Sequence, residues 1–191
     1  FHPGCDDHHF HGWSTPTSLD VQGTYCGEIV TLAGGLSMGH EVSGQAVSYT
    51  EEIHVNTPER YEIMCITDQV ERIIRESGVT DGLVLVNPMH ITASVYVNDL
   101  EYGLHADIMD WLEKNAPAYG VDGKNGPEYR HHRTGEDNGD AHLKRQLLGH
   151  QVTMPISDGR LHLGPWEQIH YAEFDGMRPK RILVKIVGVR G

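Results

Sequence analysis

The chain has 191 residues, 15 of them Lys or Arg and 27 Asp or Glu, for a formal net charge of −12. That length suits one domain with a full hydrophobic core, and no apolar run approaches the roughly 18 residues that a membrane span requires. An acidic balance of this size repels phosphate backbones and anionic lipid, so no nucleic acid and no membrane is expected as a partner.

The charge is unevenly placed. Residues 1 to 59 hold eight acids and no Lys or Arg, which leaves 15 − 19 = −4 for the chain from Arg60 onward. Residues 1–46 are Gly-rich, carry His2, His8, His9 and His11, and show no helical period. They read as an N-terminal extension or arm, with Glu28 to Leu32 as a short strand candidate. The three cysteines form no CxxC pair, which excludes a zinc ribbon. Cys5 and Cys26 would pair only in an oxidising compartment. The chain starts at Phe1, so it is expected to be a processed or partial product, and an extracellular location stays open.

From Ala46 the texture changes. Val47 to Val55 alternates weakly and Tyr61 to Ile66 is apolar. Thr67 to Gly78 reads as a helix with Thr67 or Asp68 as N-cap, a Val70, Ile73, Ile74 stripe and Gly78 as its stop. Leu83 to Val86 and Thr92 to Asn98 are the candidates for the sheet centre. Leu100, Leu104, Ile108, Trp111 and Leu112 recur at helical spacing and stop before Pro117. Ala118 to Pro127 reads as a loop. Asp137 or Asn138 can cap a helix through Ala141, Leu143, Leu147 and Leu148, ended by Gly149. Three strands follow, at Gln151 to Ile156, Leu161 continuing to Phe174, and Arg181 to Val189. Asp158-Gly159 signals a type I′ hairpin and Asp175-Gly176 the next turn. This order argues an α+β fold rather than regular βαβ alternation.

No P-loop, GxSxG, HExxH or GxGxxG motif is present. Chemistry has to come from a constellation. Alternation places His90, Thr92, Ser94, Tyr96 and Asn98 on one strand face, which is either a polar site wall or a face turned to water. Tyr129-Arg130-His131-His132 leads through Gly135-Glu136-Asp137-Asn138 to Asp140-Ala141-His142, where a helix N-terminus can hold a phosphate. Imidazole nitrogens suit zinc and carboxylate oxygens suit magnesium; equally, Asp137 and Asn138 can be simple caps and His142 a solvent-facing residue.

The blocks Asn87-Pro88-Met89-His90-Ile91-Thr92-Ala93-Ser94, Val97-Asn98-Asp99, Tyr129-Arg130-His131, Gly135-Glu136-Asp137-Asn138 with Ala141-His142-Leu143, and Gly164-Pro165-Trp166-Glu167-Gln168-Ile169 with Glu173-Phe174-Asp175-Gly176 resemble the YjbQ-type family of secondary thiamine-phosphate synthases. The resemblance covers Ala46 to the C-terminus and implies a YjbQ-like β-sandwich with a few helices over residues 47–191, a homotrimer, and a cytoplasmic location. It implies joining hydroxymethylpyrimidine diphosphate to thiazole phosphate with loss of diphosphate, at a weak rate. Carried onto this chain, His90, His131, His142 and Asp137 would be catalytic. Thr92, Ser94, Asn98, Asn138, Arg130, Trp166 and Glu173 would bind the small phosphorylated substrate. A divalent metal, magnesium or zinc, would sit among His90, His131, His142, Asp99 and Asp137. Residues 1–46 have no counterpart in that pattern. They raise one alternative, a structural or self-assembling protein in which the arm is exchanged between subunits; a third reading is a non-catalytic metal or small-molecule binding protein that uses the same pocket.

Overall fold

The computed structural model describes residues 41–120 and 126–191. The expectations placed on residues 1–40, which include most of the arm, its histidines, the Cys5–Cys26 pair and the Glu28 to Leu32 strand, lie outside the described residues. So does the middle of the 118–127 loop.

Two antiparallel sheets carry the fold. The larger one orders its strands as β1 (Gln45–Val55), β8 (Lys180–Arg190), β3 (Asp81–Pro88), β5 (Val152–Ser157) and β6 (Arg160–Leu161). The smaller one is β2 (Glu62–Cys65), β7 (Gln168–Glu173) and β4 (Ala93–Asn98). Val84 and Val86 of β3, with Ile182, Val184 and Ile186 of β8, join Val95 of β4 and Ile169 and Tyr171 of β7 in one buried core. Helix α1 (Thr67–Ser77) adds its expected stripe of Val70, Ile73 and Ile74 to that core. On the opposite face of the smaller sheet, Tyr96, Ala172 and Phe174 pack under Leu112 of α2 (Tyr102–Asn115) and Ala141 of α3 (Gly139–Leu148). The result is the expected α+β class, layered as sheet, sheet and helix pair.

Both positive-φ residues of the Asp158-Gly159 turn are present, at 51° and 74°, and the turn sets Ser157 opposite Arg160. β3 is the middle strand of the larger sheet, as expected. β4 is an edge strand, and the centre of the smaller sheet is β7, whose residues from Ile169 onward are buried on both faces. The strand expected from Leu161 through Phe174 is two strands in two sheets. A turn divides them, in which Glu167 N–H donates to Gly164 O at 3.0 Å and Gly164 N–H donates to Glu167 Oε2 at 2.7 Å. Thr67 does not cap α1. Its Oγ1 accepts the Ile169 N–H at 2.9 Å and so pins the helix start to β7. Glu101 caps α2, accepting the Gly103 and Leu104 N–H groups at 2.6 and 2.7 Å. Among the described residues no helix is long and apolar enough to cross a membrane.

A buried lysine fixes the start of α3. Lys144 Nζ donates to Asp140 Oδ2 at 2.6 Å and to the Ala116 carbonyl at 2.7 Å, and lies 2.9 Å from Glu113 Oε2. Tyr61 OH donates to the same Asp140 oxygen at 2.9 Å. This network ties α3 to α2 and to β2's flank, which sets where Asn138 and His142 stand.

Candidate active site

Strand β4 starts, β7 ends and α3 starts at the same end of the smaller sheet, where Ala93 pairs with Glu173. A cleft of about 270 Å³ opens there, lined by His90, Thr92, His131, Asn138 and His142 together with Glu136, Asp175 and Arg178. Beside it a larger cleft of about 630 Å³ is lined by Tyr129, Arg130, Gly139 and Leu143. His131 and His142 line both clefts, their rings edge to face with centroids 4.6 Å apart, so the pair forms the wall between them.

His131 sits on a 3₁₀ turn, Arg130–Thr134, that docks on α3 through an unusually close approach. Gly139 N–H donates to His132 Nε2 at 3.2 Å, and a Cβ at Gly139 would come within 2.9 Å of that nitrogen and 2.7 Å of Tyr129 Cβ. Burial, with Lys180 as the next contributor, lowers the pKa of His90; burial, with His131 next, lowers that of His142. Both imidazoles are therefore neutral at pH 7, the form that accepts a proton or binds a metal.

Beneath the cleft lies a second layer that sequence reasoning missed. Lys180, fully buried, donates to Glu173 Oε1 at 2.5 Å, to Thr92 Oγ1 at 3.1 Å and to the Asp175 carbonyl at 2.8 Å. Glu173 Oε1 also accepts the Phe174 and Asp175 N–H groups at 3.0 and 2.9 Å, and its Oε2 accepts the Tyr171 hydroxyl at 2.5 Å. Asp175 accepts Asn138 Nδ2 at 2.9 Å and pairs with Arg178. Glu173 thus supports the floor of the cleft and does not line it. The Asp175-Gly176 pair reads in sequence only as a turn, and Lys180 stands just before the Arg181 to Val189 strand candidate. Nothing in their local pattern marks them as the site's foundation.

Other expected site residues stand elsewhere. Asp137 is gripped by Arg60, with contacts of 3.1 and 3.3 Å to its carboxylate, and this partner lowers its pKa. Ser94 is buried beneath α3, where its hydroxyl donates to the Arg145 carbonyl at 3.3 Å. Asn98 is exposed at the strand end, its Oδ1 accepting the N–H of its neighbour Asp99 at 2.9 Å. Asp99 and Trp166 line a separate cleft of about 390 Å³ with Cys65, Asp68, Leu100 and Gln168. The reason is length: the six residues of β4 rise about 3.3 Å each, so its two ends lie roughly 17–20 Å apart. Sharing a strand face does not bring them to one site. Of the five expected metal ligands, His90, His131 and His142 share the small cleft, while Asp99 and Asp137 do not line it. Among the described residues no group of three His, Cys, Asp or Glu side chains is gathered as an ion site.

A family model described as "UPF0047 protein YjbQ-like" matches residues 51–189. A UPF0047 protein from Archaeoglobus fulgidus is 43% identical over 134 residues, covering 70% of this chain and 98% of that protein. A UPF0047 protein from Methanothermobacter thermautotrophicus is 36% identical, covering 73% of this chain and 92% of its own length. Among solved structures, a YbjQ-like protein of unknown function from Sulfolobus solfataricus superposes with a TM-score of 0.67 at 32% identity, covering 75% of this chain and 99% of its own. A hypothetical protein from Aeropyrum pernix gives 0.66 at 29% identity, covering 73% and 98%. The chain belongs to the UPF0047 YjbQ-like family.

Proposed function

We propose that the paired clefts bind a small phosphorylated substrate and run the thiamine-phosphate synthase reaction at a low rate. In that reaction the thiazole nitrogen attacks the methylene carbon of hydroxymethylpyrimidine diphosphate. A C–N bond forms, the C–O bond breaks, and diphosphate leaves with the electron pair. The observation that carries the reading is the convergence of His90, His131 and His142 with Thr92, Asn138 and Arg178 on one small cleft. Leaving-group charge needs nearby donors, and Arg178, Arg130 and any imidazole that takes up a proton supply them. Few cations line the clefts, which fits a slow reaction. Because no three-ligand ion site is gathered among the described residues, a metal would come with the substrate, on diphosphate oxygens of the kind that suit magnesium, and would supply Lewis-acid neutralisation of the leaving group. Homotrimeric assembly belongs to the same proposal. Leu83 and Val187, cross-strand partners 53% and 55% exposed on the larger sheet, offer an apolar contact face, and light scattering tests it.

The test is to incubate the full chain with the two phosphorylated substrates and magnesium and to follow thiamine phosphate. Slow product formation is expected, falling by about 10²-fold or more in His90→Ala and His142→Ala. No product from the wild-type chain, with saturable binding of the diphosphate retained, would favour a non-catalytic binding protein.

A further inference from the structure

Two hydrogen-bonding groups in the small cleft are left half-used by the protein, and the partners they do have fix which half is left. Asn138 is 7% exposed and Nδ2 donates to Asp175 Oδ2. Asp175 is paired with Arg178 and is an ionised carboxylate, which accepts only. The amide is therefore locked with its NH₂ toward Asp175. Its Oδ1 is buried and has no protein partner. Thr92, 5% exposed, accepts from Lys180 Nζ. An ammonium has three donors and no acceptor, so the Thr92 hydroxyl proton is committed to something other than Lys180. Both residues line the same 270 Å³ cleft.

A phosphate does not complete this arrangement. It offers acceptors for Thr92 but, when fully ionised, nothing for Asn138 Oδ1. A buried carbonyl left without a donor costs about 1–3 kcal/mol. We infer that the small cleft recognises a ligand edge presenting an N–H donor to Asn138 Oδ1 and a neighbouring acceptor to the Thr92 hydroxyl, the pairing carried by the amino group and ring nitrogen of an aminopyrimidine. The volume agrees: about 270 Å³ lies just below the roughly 300 Å³ at which drug-sized pockets begin, enough for one ring and its substituents. The phosphorylated part of the substrate then lies toward Arg130 in the larger cleft, across the His131–His142 wall. This inference rests on the proposed reading of the same site and makes it specific: Asn138 and Thr92 select the heterocycle.

Titration at pH 8 of the full chain with 4-amino-2-methylpyrimidine and with 2-methylpyrimidine, followed by NMR, separates recognition from catalysis because neither probe can react. The wild-type chain is expected to prefer the amino compound about tenfold. Asn138→Leu removes that preference, and Thr92→Val, nearly isosteric, weakens both probes alike because both retain the ring nitrogen. Equal binding of the two probes by the wild-type chain overturns the inference, as does a preference that survives Asn138→Leu. Should Asn138→Leu not fold, Thr92→Val decides, and unchanged affinity for both probes refutes the donor role. An intact probe preference without thiamine phosphate formation sinks the reaction and leaves the recognition standing; the reverse result does the opposite.

Discussion

The smaller sheet treats polar side chains in two opposite ways along its length. At the β4 start, every buried ionic group is answered: Lys180 has three acceptors, and Glu173 is met by a cation, two backbone N–H groups and a tyrosine hydroxyl. Further along, Tyr96 stacks on its cross-strand partner His170 at 5.1 Å, and His105 of α2 meets the same ring edge to face at 4.8 Å. His170 is fully buried and neither of its ring nitrogens completes a hydrogen bond; the same holds for Tyr96 OH and His105 Nε2. Burial, and then His105, lowers the His170 pKa, and burial pushes the Tyr96 hydroxyl up to about 12. One region is a rigid foundation for a site. The other uses its imidazole as a flat packing surface and forgoes its hydrogen bonds.

The largest expected effect breaks the foundation. Lys180→Met leaves Glu173 buried without its cation and should cost about 3–5 kcal/mol in urea unfolding. Adding Glu173→Gln should restore part of that, whereas an additive double variant would mean the pair is not coupled. The next experiment sharpens the contrast from the other side. His170→Phe keeps the flat ring and removes two unmet nitrogens, so it should stabilise the fold by about 1–3 kcal/mol; destabilisation would show that His170 has a partner after all.

The same substitution carries a pH signature. His170, His90 and His142 all have folded-state pKa values below the unfolded value of about 6.5. As pH falls through that value the unfolded chain takes up these protons first, so stability falls below about pH 6.5 until the folded-state values are passed. His170→Phe should flatten this slope in part, the remainder being shared by the two cleft histidines and His150, whose pKa burial, and then Arg145, also lowers. An unchanged slope would assign it to other groups. The smallest effect is Asp137→Asn. The Arg60–Asp137 pair is largely exposed on its acidic side, so the loss should be about 1 kcal/mol or less, with probe binding in the cleft unchanged.

Much of the architecture was legible in residue order. The αL signature of Asp158-Gly159, the Val70–Ile74 stripe and the apolar run of β3 each report a local condition that the fold then meets. The identity of the cleft trio His90, His131 and His142, with Thr92 and Asn138, was legible through a recognised pattern. What sequence hid was end-to-end distance and depth. Ser94, Asn98, Asp99 and Trp166 share strands or motifs with the cleft residues, yet they stand beneath α3 or toward the far end of the sheet. His170 reads as a strand-face histidine, and its place in the run from Ile169 to Phe174 was the one signal that it is a core residue. Lys180 could not be found locally, because its role comes from partners 5, 7 and 88 residues away.

Gly139 shows how the width of the site is set. The 3₁₀ turn bearing His131 rests against a helix position that has no side chain, so the spacing of the two imidazoles is governed by missing volume. A single methyl there would act as a shim. It would widen or skew the partition between the clefts while leaving the imidazoles of His90, His131 and His142 chemically unaltered, a way to retune which molecules fit without editing the side chains that carry the chemistry.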